Sequence, residues 1–210
     1  FATLAEGNIS SFDFDRLNNV WIGTIHDGGL YLVDKRGVVQ QRYLSDPLQN
    51  SINSNSVFDL VLQGNILWIA TDGGGINSFD LKQKKFHHFP ISNEYEKYTR
   101  STYIDRDGRV WITDYTGIKY YNEELDKFYS YYEDPMTPGS LHKNALSIFQ
   151  DNQGNYWTLH QPGGVAISPV KKGFKIFNAD QKSSGIHPKK MLVQLKRIIW
   201  VICGFPVHLT

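Results

Sequence analysis

Residues 18–34 read NNVWIGTIHDGGLYLVD: a polar turn, an apolar run around one tryptophan, a glycine pair and a second apolar run. The chain says nearly the same thing at 64–80 (GNILWIATDGGGINSFD), 108–122 (GRVWITDYTGIKYYN) and 154–168 (GNYWTLHQPGGVAIS). Its five tryptophans, Trp21, Trp68, Trp111, Trp157 and Trp200, fall 47, 43, 46 and 43 residues apart. A period of that size marks a repeat architecture and supplies the frame for every other residue.

Within each unit the punctuation recurs. Three positions before the tryptophan stands Asn18, Asn65, Gly108 or Gly154, residues that tolerate the left-handed backbone of a tight hairpin. Six positions before it, Asp15, Asp105 and Asp151 can bond turn amides through their side chains. A second glycine then precedes an aliphatic residue: Gly29-Leu30, Gly75-Ile76, Gly117-Ile118 and Gly164-Val165. Taking the second unit, VFDLVL, ILWIAT, GINSFD and KKFHHF read as four short strands. Helical periodicity is absent. The spacing therefore predicts an all-β protein, a β-propeller built from about five four-stranded blade repeats of 43–47 residues. Residues 1–210 form one propeller domain or a segment of a larger ring, with blades at 9–52, 53–98, 99–142 and 143–187. A partial fifth, 188–210, would be completed by residues 1–8, which would cover otherwise open sheet edges. Consecutive apolar residues in the second strand (Val20-Trp21-Ile22, Ile66-Leu67-Trp68-Ile69) fit sheets covered on both faces. The tryptophans are expected to pack between blades.

Composition narrows the function classes. With 22 basic and 21 acidic residues, no strong field points to nucleic acid or an anionic membrane. A single cysteine, Cys203, excludes an intrachain disulfide framework and a multi-cysteine metal site. The longest apolar run, RIIWVICGF, is too short to span a bilayer, and no charged-then-apolar leader opens the chain. A start at Phe1 is expected of a processed chain or a recombinant fragment, and the piece reads as soluble. Any membrane link would run through a parent protein.

Residues 15–30, DRLNNVWIGTIHDGGL, a phrase repeated with variation, resemble the two-component regulator propeller repeat family. DPLQNSINSNSVFDL and EDPMTPGSLHKNALSI resemble that family's linkers between blades. The resemblance implies the periplasmic sensor region of a hybrid two-component system of the Bacteroidetes type. There, propellers precede a transmembrane helix, a histidine kinase and often a DNA-binding regulator, and respond to glycan fragments.

In a propeller, the loops after the second strands and the segments between blades open on one surface. Here both sets are rich in Asp, Asn, Ser, His and Tyr, which suits a multi-hydroxyl ligand: amides and carboxylates pair hydroxyls, and aromatic faces stack on sugar rings. The candidate ligand-binding residues are Asp27, Asp72, Tyr115, Gln161, Asn53 and His142. Each is weighed against service as an ordinary solvated turn residue. His26 and His160, at similar loop positions, are weighed as a base or metal pair, but no spacing here matches a ligand or nucleophile motif. No metal, cofactor or catalytic residue is expected. The leading expectation is a non-catalytic sensor of oligosaccharide or another small polar ligand, which could also pair with a second copy of itself. Two alternatives stand beside it: a lyase resembling streptogramin-inactivating propellers, and a protein-interaction propeller.

Overall fold

The structure is a computed structural model that describes residues 8–131, 143–161, 164–168 and 175–177. All lie within the unit Phe1–Asn178. They form four antiparallel four-stranded sheets, each a simple meander. The first holds β1 (Asn8–Phe14), β2 (Val20–Ile25), β3 (Gly29–Val33) and β4 (Val39–Tyr43). The second holds β5 (Val57–Gln63), β6 (Ile66–Thr71), β7 (Gly75–Asp80) and β8 (Lys85–His88). The third holds β9 (Thr99–Ile104), β10 (Val110–Asp114), β11 (Gly117–Asn122) and β12 (Lys127–Tyr131). The fourth holds β13 (Ala145–Gln150), β14 (Tyr156–His160), β15 (Gly164–Ser168) and β16 (Lys175–Phe177). Among the described residues the only helical element is a 3-10 turn at Glu94–Lys97, capped by Asn93. The fifth unit, with Trp200 and Cys203, lies outside the described residues.

The first strands line up: β1 packs beside β5, β5 beside β9 and β9 beside β13. Each of the first three sheets presents its tryptophan to the next, whereas Trp157 of the fourth is half-buried and stacks on Phe149 of its own sheet. Trp21 and Leu30 share a core with Val57, Leu60, Ile69 and Phe79 of the second sheet. Trp68 and Ile76 meet Val110 and Ile112 of the third, and Trp111 and Ile118 meet Ala145 and Ile148 of the fourth. Aromatic pairs thicken these seams, with Trp21 and Phe79 centroids 5.5 Å apart, and Trp111 and Tyr156 at 4.9 Å. Closeness between the first two sheets depends on Gly23, where an added Cβ would lie 2.5 Å from Val57 Cγ1. The second strands of the two middle sheets are buried almost throughout, whereas β2 and β14 alternate. Among the described residues, the two middle sheets have a neighbour on each side and lose both faces to packing, and the outer two have one neighbour each.

The first hairpin of each sheet shows why the turn residues recur. Asp15, Asp105 and Asp151 each accept two turn amides on Oδ1, from residues two and four further on. Asn18, Gly108 and Gly154 adopt the left-handed backbone at φ of 61°, 78° and 85°. The second sheet departs from the sequence expectation. Its turn has two residues where the other three sheets have five, with Gln63 pairing directly with Ile66. The left-handed residue there is Gly64, at φ 63°, and not Asn65. A two-residue hairpin needs positive φ at its first position, which glycine adopts without Cβ strain.

Candidate functional site

One irregularity is common to all four sheets. The first strand carries an extra residue just before its loop end: Ser10, Phe58, Arg100 and Leu146 stand unpaired between partners in register. Such bulges bend a strand and re-aim a side chain. Here they reach sideways between sheets. The Ser10 hydroxyl donates to the Val57 carbonyl at 2.6 Å, and the Arg100 guanidinium lies 4.9 Å over the Phe58 ring.

Above the bulges, the loops and linkers are stitched together. Gly29 N–H donates to the Asn55 carbonyl at 2.8 Å, joining the first loop to the linker before the second sheet. Ser54 Oγ donates to the Asp72 carbonyl at 2.6 Å, and Asp72 forms an isolated bridge with Tyr98. The Tyr98 and Tyr115 rings meet edge to face, 5.3 Å apart. Asn144 N–H donates to the Tyr115 carbonyl at 2.9 Å, and Gln161 N–H to the Asn144 carbonyl at 3.1 Å. Asp72, Tyr115 and Gln161 are thereby brought onto one continuous end of the molecule. Asn53 joins them through its Nδ2, 3.4 Å from the Gly74 carbonyl. Asp27 is exposed beside Gly29, with its carbonyl accepting from Arg42 Nη2 at 3.2 Å. His142 lies outside the described residues.

The two histidines weighed as a pair do not occupy equivalent places. His26 is an exposed loop residue at φ 60°. His160 ends β14, buried, opposite Ala145, in the register that Thr24 and Thr71 hold in the first two sheets. Its Nε2 lies 2.8 Å from the Thr158 hydroxyl. Asp114 holds that register in the third sheet. It caps its loop by accepting from Thr116 and Gly117, and it pairs with buried Lys119 at 2.6 Å. Lys119 also reaches Glu96 at 2.8 Å. Burial pushes the Glu96 carboxyl up, but bonds from Lys119 and Ser92 outweigh it and hold Glu96 below the usual range.

Sequence reasoning missed Arg100, Phe58, Tyr98 and Asp59. Asp59 takes the register of Ser11, Ser101 and Ser147. Its carboxylate accepts from the Ser11 hydroxyl at 2.7 Å and from Thr102 N–H at 2.8 Å, tying three first strands together. Burial raises its pKa despite these bonds. The available signal was an ionisable residue in strand positions where sister units carry Ser, Phe or Leu.

At the opposite end, a cleft of about 820 Å³ lies between the second and third sheets, lined by Trp68, Phe89, Tyr121, His87, Arg109 and Asp126. None of the described ligand-binding candidates lines it. No group of three or more His, Cys, Asp or Glu among the described residues could hold a metal, and no described helix is long and apolar enough to cross a membrane.

No protein-family model matches the chain, nor does any curated protein sequence. Solved structures do resemble it. One is the extracellular domain of BT3049 from B. thetaiotaomicron, described as a hybrid two component system, with a TM-score of 0.67 and 17% identity over 83% of this chain and 22% of that one. Another is the extracellular domain of BT4673 from the same organism, described as a one component system, with a TM-score of 0.67 and 21% identity over 86% and 26%. A catalytically inactive virginiamycin B lyase from Staphylococcus aureus gives 0.63 at 14% identity, over 88% and 60%. The chain thus spans about a quarter or less of the two sensor domains and under two thirds of the lyase. At such identities the likeness is one of fold: all-β, in propeller-like antiparallel sheets.

Proposed function

We propose that this chain is a non-catalytic, periplasmic ligand-sensing propeller, part of a hybrid two-component sensor, and that it recognises an oligosaccharide. One observation carries the reading: the loop end is a single network, in which Asp72, Tyr98, Tyr115, Asn144 and Gln161 link the second, third and fourth sheets. A saccharide lying across these loops would touch several blades at once. It would favour one arrangement of them over another, which is what passing a signal onward requires. The fold likeness to extracellular domains of sensor systems supports the same reading. An enzyme reading has fold likeness to a lyase behind it, and fold alone does not choose a chemistry.

The test is a melting screen against a glycan library, with each mixture checked for products by mass spectrometry. A ligand at a hundredfold excess over its Kd stabilises by about 2.7 kcal/mol. For a chain of this size that is a rise of about 5–10 °C in Tm. The expected result is such a rise with no product. Turnover of any glycan, or no shift across the library, sinks the reading.

A further inference from the structure

Among the described residues, Arg100 is a cation without a counter-ion. Its guanidinium is held between two aromatic faces, 4.9 Å from the Phe58 ring and 4.7 Å from the Tyr115 ring. One Nη2 proton goes to the Tyr115 hydroxyl. Among the described residues the buried Nε has no hydrogen-bond partner, and no carboxylate lies within ion-pair distance. A guanidinium has five N–H donors in one rigid plane, so most of this capacity is unspent. Leaving a partly buried charge unpaired is costly, and a fold that needed only bulk here could use an apolar residue, as Phe58 and Leu146 do at the same bulge. The two rings fix the plane of the fork, and a fixed planar fork matches a carboxylate better than a neutral hydroxyl.

We propose that Arg100, clamped by Phe58 and Tyr115 beneath the loop network, is the anchor for a carboxylate on the ligand. The sensed saccharide is then an acidic one, carrying a uronic acid residue. This deepens the sensor reading and rests on it.

Calorimetric titration of the full chain decides the matter, with digalacturonate, neutral digalactose and sodium acetate as separate probes. The acidic dimer is expected to bind at least ~10-fold more tightly than the neutral one, as one charge-assisted hydrogen bond contributes. Arg100→Gln should erase that preference. Arg100→Lys, which keeps the charge but loses the fork, should retain only part of it and serves as the check if the glutamine variant unfolds. Acetate competing with digalacturonate would support the anchor and show that a free organic acid can occupy it. Equal affinity for both dimers, no binding of either acid, or an undiminished preference in a folded Arg100 variant would overturn the proposal. Binding of the neutral dimer alone would do so while leaving the sensor reading intact.

Discussion

At the hairpin end of the first, third and fourth sheets, the same carboxylate does the same work: Asp15, Asp105 and Asp151 each close a turn by accepting two amides. At the loop end, the register three past the tryptophan holds Thr24, Thr71, Asp114 and His160 in turn. The bulge beneath varies just as widely, through Ser10, Phe58, Arg100 and Leu146. Repeats copied from one template keep what the backbone needs and diverge where it does not. The hairpin end is therefore scaffold, and the loop end is where individual blades have acquired their own chemistry.

Even within the scaffold the three carboxylates are not equal. Asp15 accepts additionally from its neighbour Asn19 Nδ2, while the Trp21 indole N–H lies near enough to help depress the carboxyl but outside hydrogen-bond geometry. Asp151 accepts from Asn155 Nδ2 and from the Trp157 indole N–H. Asp105 is buried and accepts from the Trp111 indole at 2.8 Å and from Tyr156 Oη of the next sheet at 2.6 Å. Removing it takes the acceptor from one buried and one half-buried side-chain donor as well as from two amides. Asp105→Ala should cost about 3 kcal/mol or more, and Asp15→Ala about 1 kcal/mol, in urea denaturation. Equal losses would mean that the bond between sheets adds nothing to the turn.

Acid sharpens the same contrast. Burial pushes the Asp105 carboxyl up, but the bonds from Trp111, Tyr156 and the turn amides outweigh it and leave its pKa depressed. Asp15 and Asp151 are depressed in the same way. A carboxyl depressed on folding contributes stability above its unfolded value of about 3.9, and loses it as pH falls through the folded value. Asp59, raised by burial, works the other way: it costs stability when ionised and is relieved in acid. The net expectation is a falling urea midpoint below about pH 4, and a shallower fall in Asp105→Ala. An identical pH slope in wild type and variant would remove Asp105 from the account.

The scaffold was largely legible in the sequence because its signals are local. The aspartate six positions before the tryptophan and the glycine before each third strand lie within one unit, the tryptophan spacing needs only two adjacent units, and strands in the second unit fall within a residue or two of their expected places. The second turn misled because Asn65 looks as permissive as its neighbour Gly64, and only strand register shows which one turns the chain. The loop end was legible in outline: Asp72 and Tyr115 sit in the expected loops. Arg100 was not, since an extra residue in a strand becomes visible only when its partners are counted. Nor could the sequence show Tyr156 reaching Asp105, 51 positions away.

The smallest expected effect tests the outermost surface. Phe12 and Leu60 occupy the same register, opposite Ile22 and Ile69. Leu60 is 4% exposed because the first sheet lies over it, whereas Phe12 is 60% exposed and Phe14 54%. Leu60→Ala should cost about 3 kcal/mol through lost burial and a residual cavity. Phe12→Ala should change stability by no more than about 0.5 kcal/mol, as for an ordinary surface site. A penalty at Phe12 approaching that at Leu60 would mean that something covers the first sheet. Repeating the denaturation at two protein concentrations then identifies it: a concentration-dependent midpoint indicates a second copy of the chain, and a constant one indicates a further part of the same chain closing the ring.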